Sequence, residues 1–180
     1  MHLTEEEDKL INWLKQNYLN IILGLALGFI LIGGFNYYKS SMLNSQHEVS
    51  LDYQEVVNLY QNERFADFSE KAHGLVTREP TNIYSAMTSL YLAKFYHDNE
   101  QLDLASTSLL HIINNSESEI YVYIASIRLS RIKVSQAEYN DAVDILSSID
   151  KYETDPIVLE LFGDIMLIQN DKTAAIRNYE

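Results

Sequence analysis

The chain has 180 residues, 47% of them hydrophobic, with 13 Lys and Arg against 26 Asp and Glu and a formal net charge of −13. A balance this acidic argues against nucleic-acid binding and against adhesion to anionic headgroups, both of which need basic patches. With no cysteine, two prolines and six glycines, the chain has no thiolate framework and few of the breakers a turn-rich β fold needs, so long helices are the easy outcome.

Residues 1–16 read as an acidic lead-in, Glu5-Glu6-Glu7-Asp8, with Leu10, Ile11, Trp13 and Leu14 as its apolar side. Between Lys15 and Lys39 lie 23 positions without a charge. About 20 apolar residues rising roughly 1.5 Å each cross a hydrocarbon core about 30 Å thick. Backbone in lipid must satisfy its own hydrogen bonds, so residues 17–38 are predicted to form one transmembrane helix. Trp13 and Tyr18 flank one end and Tyr37 and Tyr38 the other, where amphipathic rings prefer the interface. A cleaved leader would start basic, run about 7–15 apolar residues and end on small ones. This start is acidic, the run is longer and no Ala-x-Ala follows, so the segment reads as a retained anchor. Lys9 and Lys15 precede it and only Lys39 follows before Arg64, a bias that places the N-terminus in the cytoplasm and the domain outside it. Within the span, Gly24 and Gly28 stand one turn apart and would let another helix approach closely.

Residues 39–180 are enough for one domain with a core. From Ser40 onward there are 10 Lys and Arg against 22 Asp and Glu, a formal net charge of −12. Apolar residues recur at helical spacing, not in alternation. Val49, Tyr53, Val56, Val57 and Tyr60 form one stripe, and Phe65, Phe68, Ala72 and Leu75 the next, before Pro80. Two further pairs are predicted, 83–97 with 102–113 and 120–134 with 139–149, and residues 157–169 open another after Pro156. In tetratricopeptide pairs a small residue on helix A lies 12 positions before a small residue on helix B, because the two backbones cross closely there. Ala93 with Ala105, Ser130 with Ala142 and Gly163 with Ala175 show that spacing, and the 37- and 33-residue steps between them bracket the tetratricopeptide period of about 34. Leu92, Leu129 and Phe162 precede the helix A residue, and Leu109, Leu146 and Tyr179 follow the helix B residue by four. The fold class expected is therefore all-α, a transmembrane helix followed by a tetratricopeptide-like α-solenoid. The first pair, residues 48–79, lacks the spacing and reads as degenerate or as a cap. The chain stops at Arg177-Asn-Tyr-Glu180, inside an expected helix B, which reads as a truncation or as a member that caps itself differently.

Catalytic and metal chemistry find no pattern. His2, His47, His73, His97 and His111 are never three or four residues apart, and neither a nucleophile elbow nor a glycine-rich phosphate loop occurs. No enzyme activity, cofactor, metal or small-molecule substrate is expected.

The acidic tail, the anchor and the degenerate repeats together resemble the YfgM family, the ancillary subunit of the SecYEG translocon. Gly34-Phe-Asn-Tyr-Tyr38 is similar to the family's Gly-aromatic exit from the span, with Asn36 where a basic residue is common. Asn82-Ile-Tyr84-Ser-Ala86-Met-Thr-Ser-Leu90-Tyr-Leu92-Ala93 is similar to its first clear helix A, and Ile127-Arg128-Leu129-Ser130-Arg131-Ile132 to the next, with Ser130 where alanine is more usual. The resemblance implies a single-pass inner-membrane protein with a periplasmic helical domain. Its partners would be SecYEG and the anchored chaperone PpiD, with unfolded clients passed on to periplasmic chaperones. An anchored adaptor for another envelope assembly is the competing reading. In a tetratricopeptide superhelix the inner groove is lined by helix A positions that point away from helix B. The register places Met87, Leu90, Lys94, Ile124, Ile127 and Arg131 there as candidate partner-binding residues. The alternative, equally open, is that the first helix pair packs into the groove and makes these residues core.

Overall fold

The computed structural model describes residues 5–179, with residues 5, 6 and 40–45 described by their backbone alone. Eight α-helices follow in order: α1 Glu5–Gln61, α2 Phe65–Arg78, α3 Ile83–Asp98, α4 Leu102–Asn115, α5 Glu119–Ser135, α6 Tyr139–Ser147, α7 Pro156–Ile168 and α8 Lys172–Tyr179. Among the described residues there is no strand, and one 3₁₀ turn spans Asp150–Tyr152. The chain divides into two compact units, one ending at Glu48 and the other beginning at Val49.

In the first unit, Glu7–Lys39 is helical, 33 residues long and of mean hydropathy 2.1, long and apolar enough to cross a membrane. Its large side chains, Ile22, Phe29, Leu31 and Phe35 among them, are exposed, which suits a lipid solvent and not water. Asn17, a polar residue inside the run, donates from Nδ2 to the Trp13 carbonyl oxygen at 2.9 Å, so its amide bonds within its own helix. A Cβ on Gly24 or Gly28 would meet nothing within 4 Å.

In the second unit the crossing residues sit where the 12-residue spacing puts them. Ala93, Ala105, Ser130, Ala142, Gly163 and Ala175 are all buried. Ser130 Oγ donates to the Ala142 carbonyl oxygen at 3.3 Å, a side chain of α5 reaching the backbone of α6 at the crossing itself. At Gly163 a Cβ would stand 2.7 Å from Tyr179 Cζ. Only glycine lets that ring lie across α7, where Tyr179 donates its hydroxyl to Asp164 at 2.7 Å.

The first pair keeps the register that its sequence conceals. Four turns join helix A to helix B, and each passes through one residue at positive φ: Glu63 (58°), Glu100 (60°), Ala137 (61°) and Asn170 (66°). At each, the next amide donates five residues back: Arg64 to Leu59 at 3.0 Å, Gln101 to Tyr96 at 2.8 Å, Glu138 to Lys133 at 2.9 Å, Asp171 to Met166 at 2.9 Å. This is the Schellman closure, here built on residues with a Cβ instead of the usual glycine. Counting from Glu63 as from the other three turns, the crossing residues of the first pair are Val56 and Phe68, again 12 apart and both at 0% exposure. Ala72 then falls at the bulky position held elsewhere by Leu109, Leu146 and Tyr179. Small and large residues have traded places within α2, so volume is kept while the alanine signal is lost. The pair therefore keeps the 12-residue crossing without its small residues, which is the degenerate member of the two readings the sequence leaves open.

Two apolar clusters fill the unit. The first joins Val56, Phe68, Leu75, Leu92, Leu109, Ile112 and Leu129, with Tyr60 and Phe95 rings 5.2 and 5.5 Å from Phe68. The second joins Ile127, Ala142, Leu146, Val158, Leu161 and Ile165. Proline and capping set the borders. Asn82 Oδ1 accepts from the Tyr84 amide at 3.0 Å to start α3. Asp155 Oδ1 accepts from the Ile157 amide at 2.9 Å to start α7, with Pro156 in the first turn, where a missing N–H costs nothing.

Candidate protein-binding groove

The A helices α3 and α5 lie side by side, and between them opens a cavity of about 350 Å³ lined by Ala93, Lys94, His97, Leu109, Arg128, Arg131, Ile132 and Ser135. A second, of about 360 Å³, lies between α5 and α7 and is lined by Arg131, Val134, Leu161, Asp164, Leu167 and Ile168. Arg131 belongs to both. The lining follows one register: Lys94, Arg131 and Asp164 each stand one residue after the small crossing residue of their helix, and His97, Val134 and Leu167 four after it.

Of the six residues expected to line a groove, Lys94 and Arg131 are exposed on the cavity wall. Met87 and Ile124 are half-buried. Leu90 is half-buried against the first cluster. Ile127, expected on the wall, is 6% exposed inside the second cluster beside Ala142 and Leu146. The reason is helical phase. Leu90 and Ile127 each stand three residues before the small crossing residue and so share the face that meets neighbouring helices. Arg128, His97 and Ser135 also line the cavity and are absent from the set expected there. The usable signal was the same helical spacing, since Arg128 lies one turn before Arg131 and His97 one turn after Lys94.

The wall is cationic on an acidic domain. Lys94 Nζ lies 2.5 Å from Asp98 Oδ2, and that hydrogen bond, helped by the nearby Tyr60, raises its pKa above the ordinary lysine value. Arg128 and Arg131 have no carboxylate partner among the described residues, whereas Arg64 pairs with Asp67, Lys71 with Asp52 and Glu55, Arg78 with Asp52, Lys133 with Glu138, and Lys151 with Glu119.

Helix pairs crossing at residues 12 apart, joined by the same turn four times, are a repeat architecture, and a family model described as a tetratricopeptide repeat-like domain matches residues 12–180. The chain belongs to the tetratricopeptide repeat-like family. Within it, the chain is similar to proteins named ancillary SecYEG translocon subunit. It is 28% identical to the one from Escherichia coli strain K12, over 100% of this chain and 88% of that protein. For Aggregatibacter actinomycetemcomitans the figures are 26%, 98% and 87%, and for Buchnera aphidicola of Acyrthosiphon pisum 26%, 95% and 86%. The resemblance drawn from the tail, the span and the helix A strings therefore holds over nearly the whole length.

Proposed function

We propose that this chain is a membrane-anchored protein-interaction scaffold associated with the SecYEG translocon. The observation that carries the reading is the near full-length similarity to proteins of that name, joined to a helix able to span a membrane and a repeat domain with an open groove. Residues 17–38 serve as the anchor and residues 1–16 as a cytoplasmic tail, with the helical domain in the periplasm. The Lys9 and Lys15 bias supports that orientation. Gly24 and Gly28 give the span a face without side chains, on which a translocon helix would pack. The groove would hold partner or client segments and help pass translocated polypeptides to periplasmic chaperones such as PpiD, with no catalytic step.

The test is affinity purification of the full chain from membranes in a mild detergent, followed by mass spectrometry of the partners. Enrichment of SecYEG and of an anchored chaperone is expected. Enrichment of a different envelope assembly, with no translocon subunit above background, would overturn the reading. Changing Gly24 and Gly28 to Leu should reduce translocon recovery while leaving membrane insertion intact.

A further inference from the structure

We propose that the cavity between α3 and α5 takes a segment of a partner protein in which one bulky apolar side chain is flanked by carboxylates. The inference rests on reading the domain as a protein-binding scaffold and names the chemistry of what it binds. The floor is apolar, made by Ala93, Leu109 and Ile132, and the rim carries Lys94 and His97 from α3 and Arg128 and Arg131 from α5. At about 350 Å³ the space admits a side chain with its adjoining backbone, not a folded element.

The two arginines decide the sign of the ligand. The domain carries 22 carboxylates and 10 Lys and Arg from Ser40 onward, and Arg64, Lys71, Arg78, Lys94, Lys133 and Lys151 are each paired with a carboxylate. Arg128 and Arg131, one helical turn apart and both exposed, have no such partner among the described residues. A guanidinium presents a planar fork of donors that matches a carboxylate two bonds at a time. Across the cavity Lys94 and His97 already lie against Asp98, at 2.5 and 3.7 Å, so the two arginines are the open carboxylate sites beside the apolar contact.

An extended polyanion fits less well. The domain's net negative charge repels a nucleic acid or an anionic bilayer before contact, and a row of phosphates has nothing to place on the Ala93, Leu109 and Ile132 floor. A short acidic segment is governed by the nearest charges, since beyond about 8–10 Å salt screens the rest.

The test uses the full chain in neutral detergent micelles and a short fluorescein-labelled peptide with one Leu flanked by Asp and Glu, read by fluorescence anisotropy. Three competitors accompany it: the same peptide with Asn and Gln for Asp and Glu, the peptide with Ser for Leu, and a single-stranded oligonucleotide. The acidic peptide is expected to bind at least about tenfold more tightly than the amide version, as loss of charge-assisted hydrogen bonds requires. Arg128→Gln with Arg131→Gln should weaken it by a similar factor, and Lys151→Gln should not. The comparison of peptides on the unaltered protein stands even if the double variant misfolds, which circular dichroism reports. Equal binding of acidic and amide peptides, no binding of either, or an oligonucleotide that competes as well as the acidic peptide would overturn the proposal. Translocon recovery is not read here, so a failed peptide experiment leaves the scaffold reading standing, and failed co-purification beside a positive peptide result removes the translocon association alone.

Discussion

Exchanging the sizes of Phe68 and Ala72 tests whether the first helix pair obeys the same crossing rule as the other three. Phe68 is fully buried, with Tyr60 and Phe95 rings 5.2 and 5.5 Å from its own, so Phe68→Ala leaves a cavity no neighbour can close without moving. Such truncations cost about 3–5 kcal/mol. Ala72 is also fully buried, and Ala72→Phe alone overpacks at about 1–3 kcal/mol. If the two positions share one volume, the double variant restores it in the order used by Ala105 and Leu109 or Ala142 and Leu146. Its cost should then fall short of the sum of the single variants by about 1–3 kcal/mol, the range seen for residues in contact. Urea unfolding of the full chain in detergent, followed by circular dichroism at constant denaturant sensitivity, gives all four corners of the cycle. A double variant as unstable as the sum would mean that Phe68 and Ala72 do not trade places at one crossing, and the register assigned to the first pair would be wrong.

Two further outcomes follow from the turns and the α5–α7 contact. Ala137 sits at φ 61°, where a Cβ costs about 1–2 kcal/mol, so Ala137→Gly should raise stability by about 1 kcal/mol, measured by the same unfolding; an unchanged or lower midpoint would contradict the positive-φ turn. Tyr123 donates its hydroxyl to Asp155 at 2.8 Å, and burial, with that hydrogen bond second, pushes its pKa from 10 up to about 12. A phenol whose folded pKa is raised contributes stability that is whole below its unfolded pKa and is lost as pH rises through the folded value. The unaltered chain should therefore lose stability between pH 10 and about 12 more steeply than Tyr123→Phe; parallel pH profiles would show that the phenol is not held in its neutral form.

Helices α3 to α7 begin and end within two residues of the predicted bounds, because a helical apolar spacing leaves a phase that short turns cannot blur, whereas the lead-in, the span and the first stripe join in the single helix α1 with no boundary for periodicity to mark. Ala93, Ser130 and Gly163 were legible as crossing points since close backbone approach admits few residue types. The first crossing was not, because Val56 and Phe68 satisfy the same geometry by shape complementarity with Ala72, and complementarity has no one-residue signature. On the groove, Lys94 and Arg131 were legible from their place beside the small residue. Leu90 and Ile127 stand open between wall and core in the sequence because an apolar side chain at that phase reads equally as either, and what decides it is how closely the next helix pair stacks. Arg128 and His97 were visible as residues but not as a set: their meaning depends on which carboxylates lie out of reach, and only the folded chain shows that.

The most direct test of the account is photocrosslinking in living cells from two positions of the full chain. A benzoylphenylalanine at His97, on the groove rim, should form adducts with a translocon subunit, a periplasmic chaperone or a newly translocated polypeptide. The same residue at Leu110, exposed on α4, should form few. Adducts of equal yield from Leu110, or none from His97 to any of those three classes, would contradict a scaffold that works through this groove.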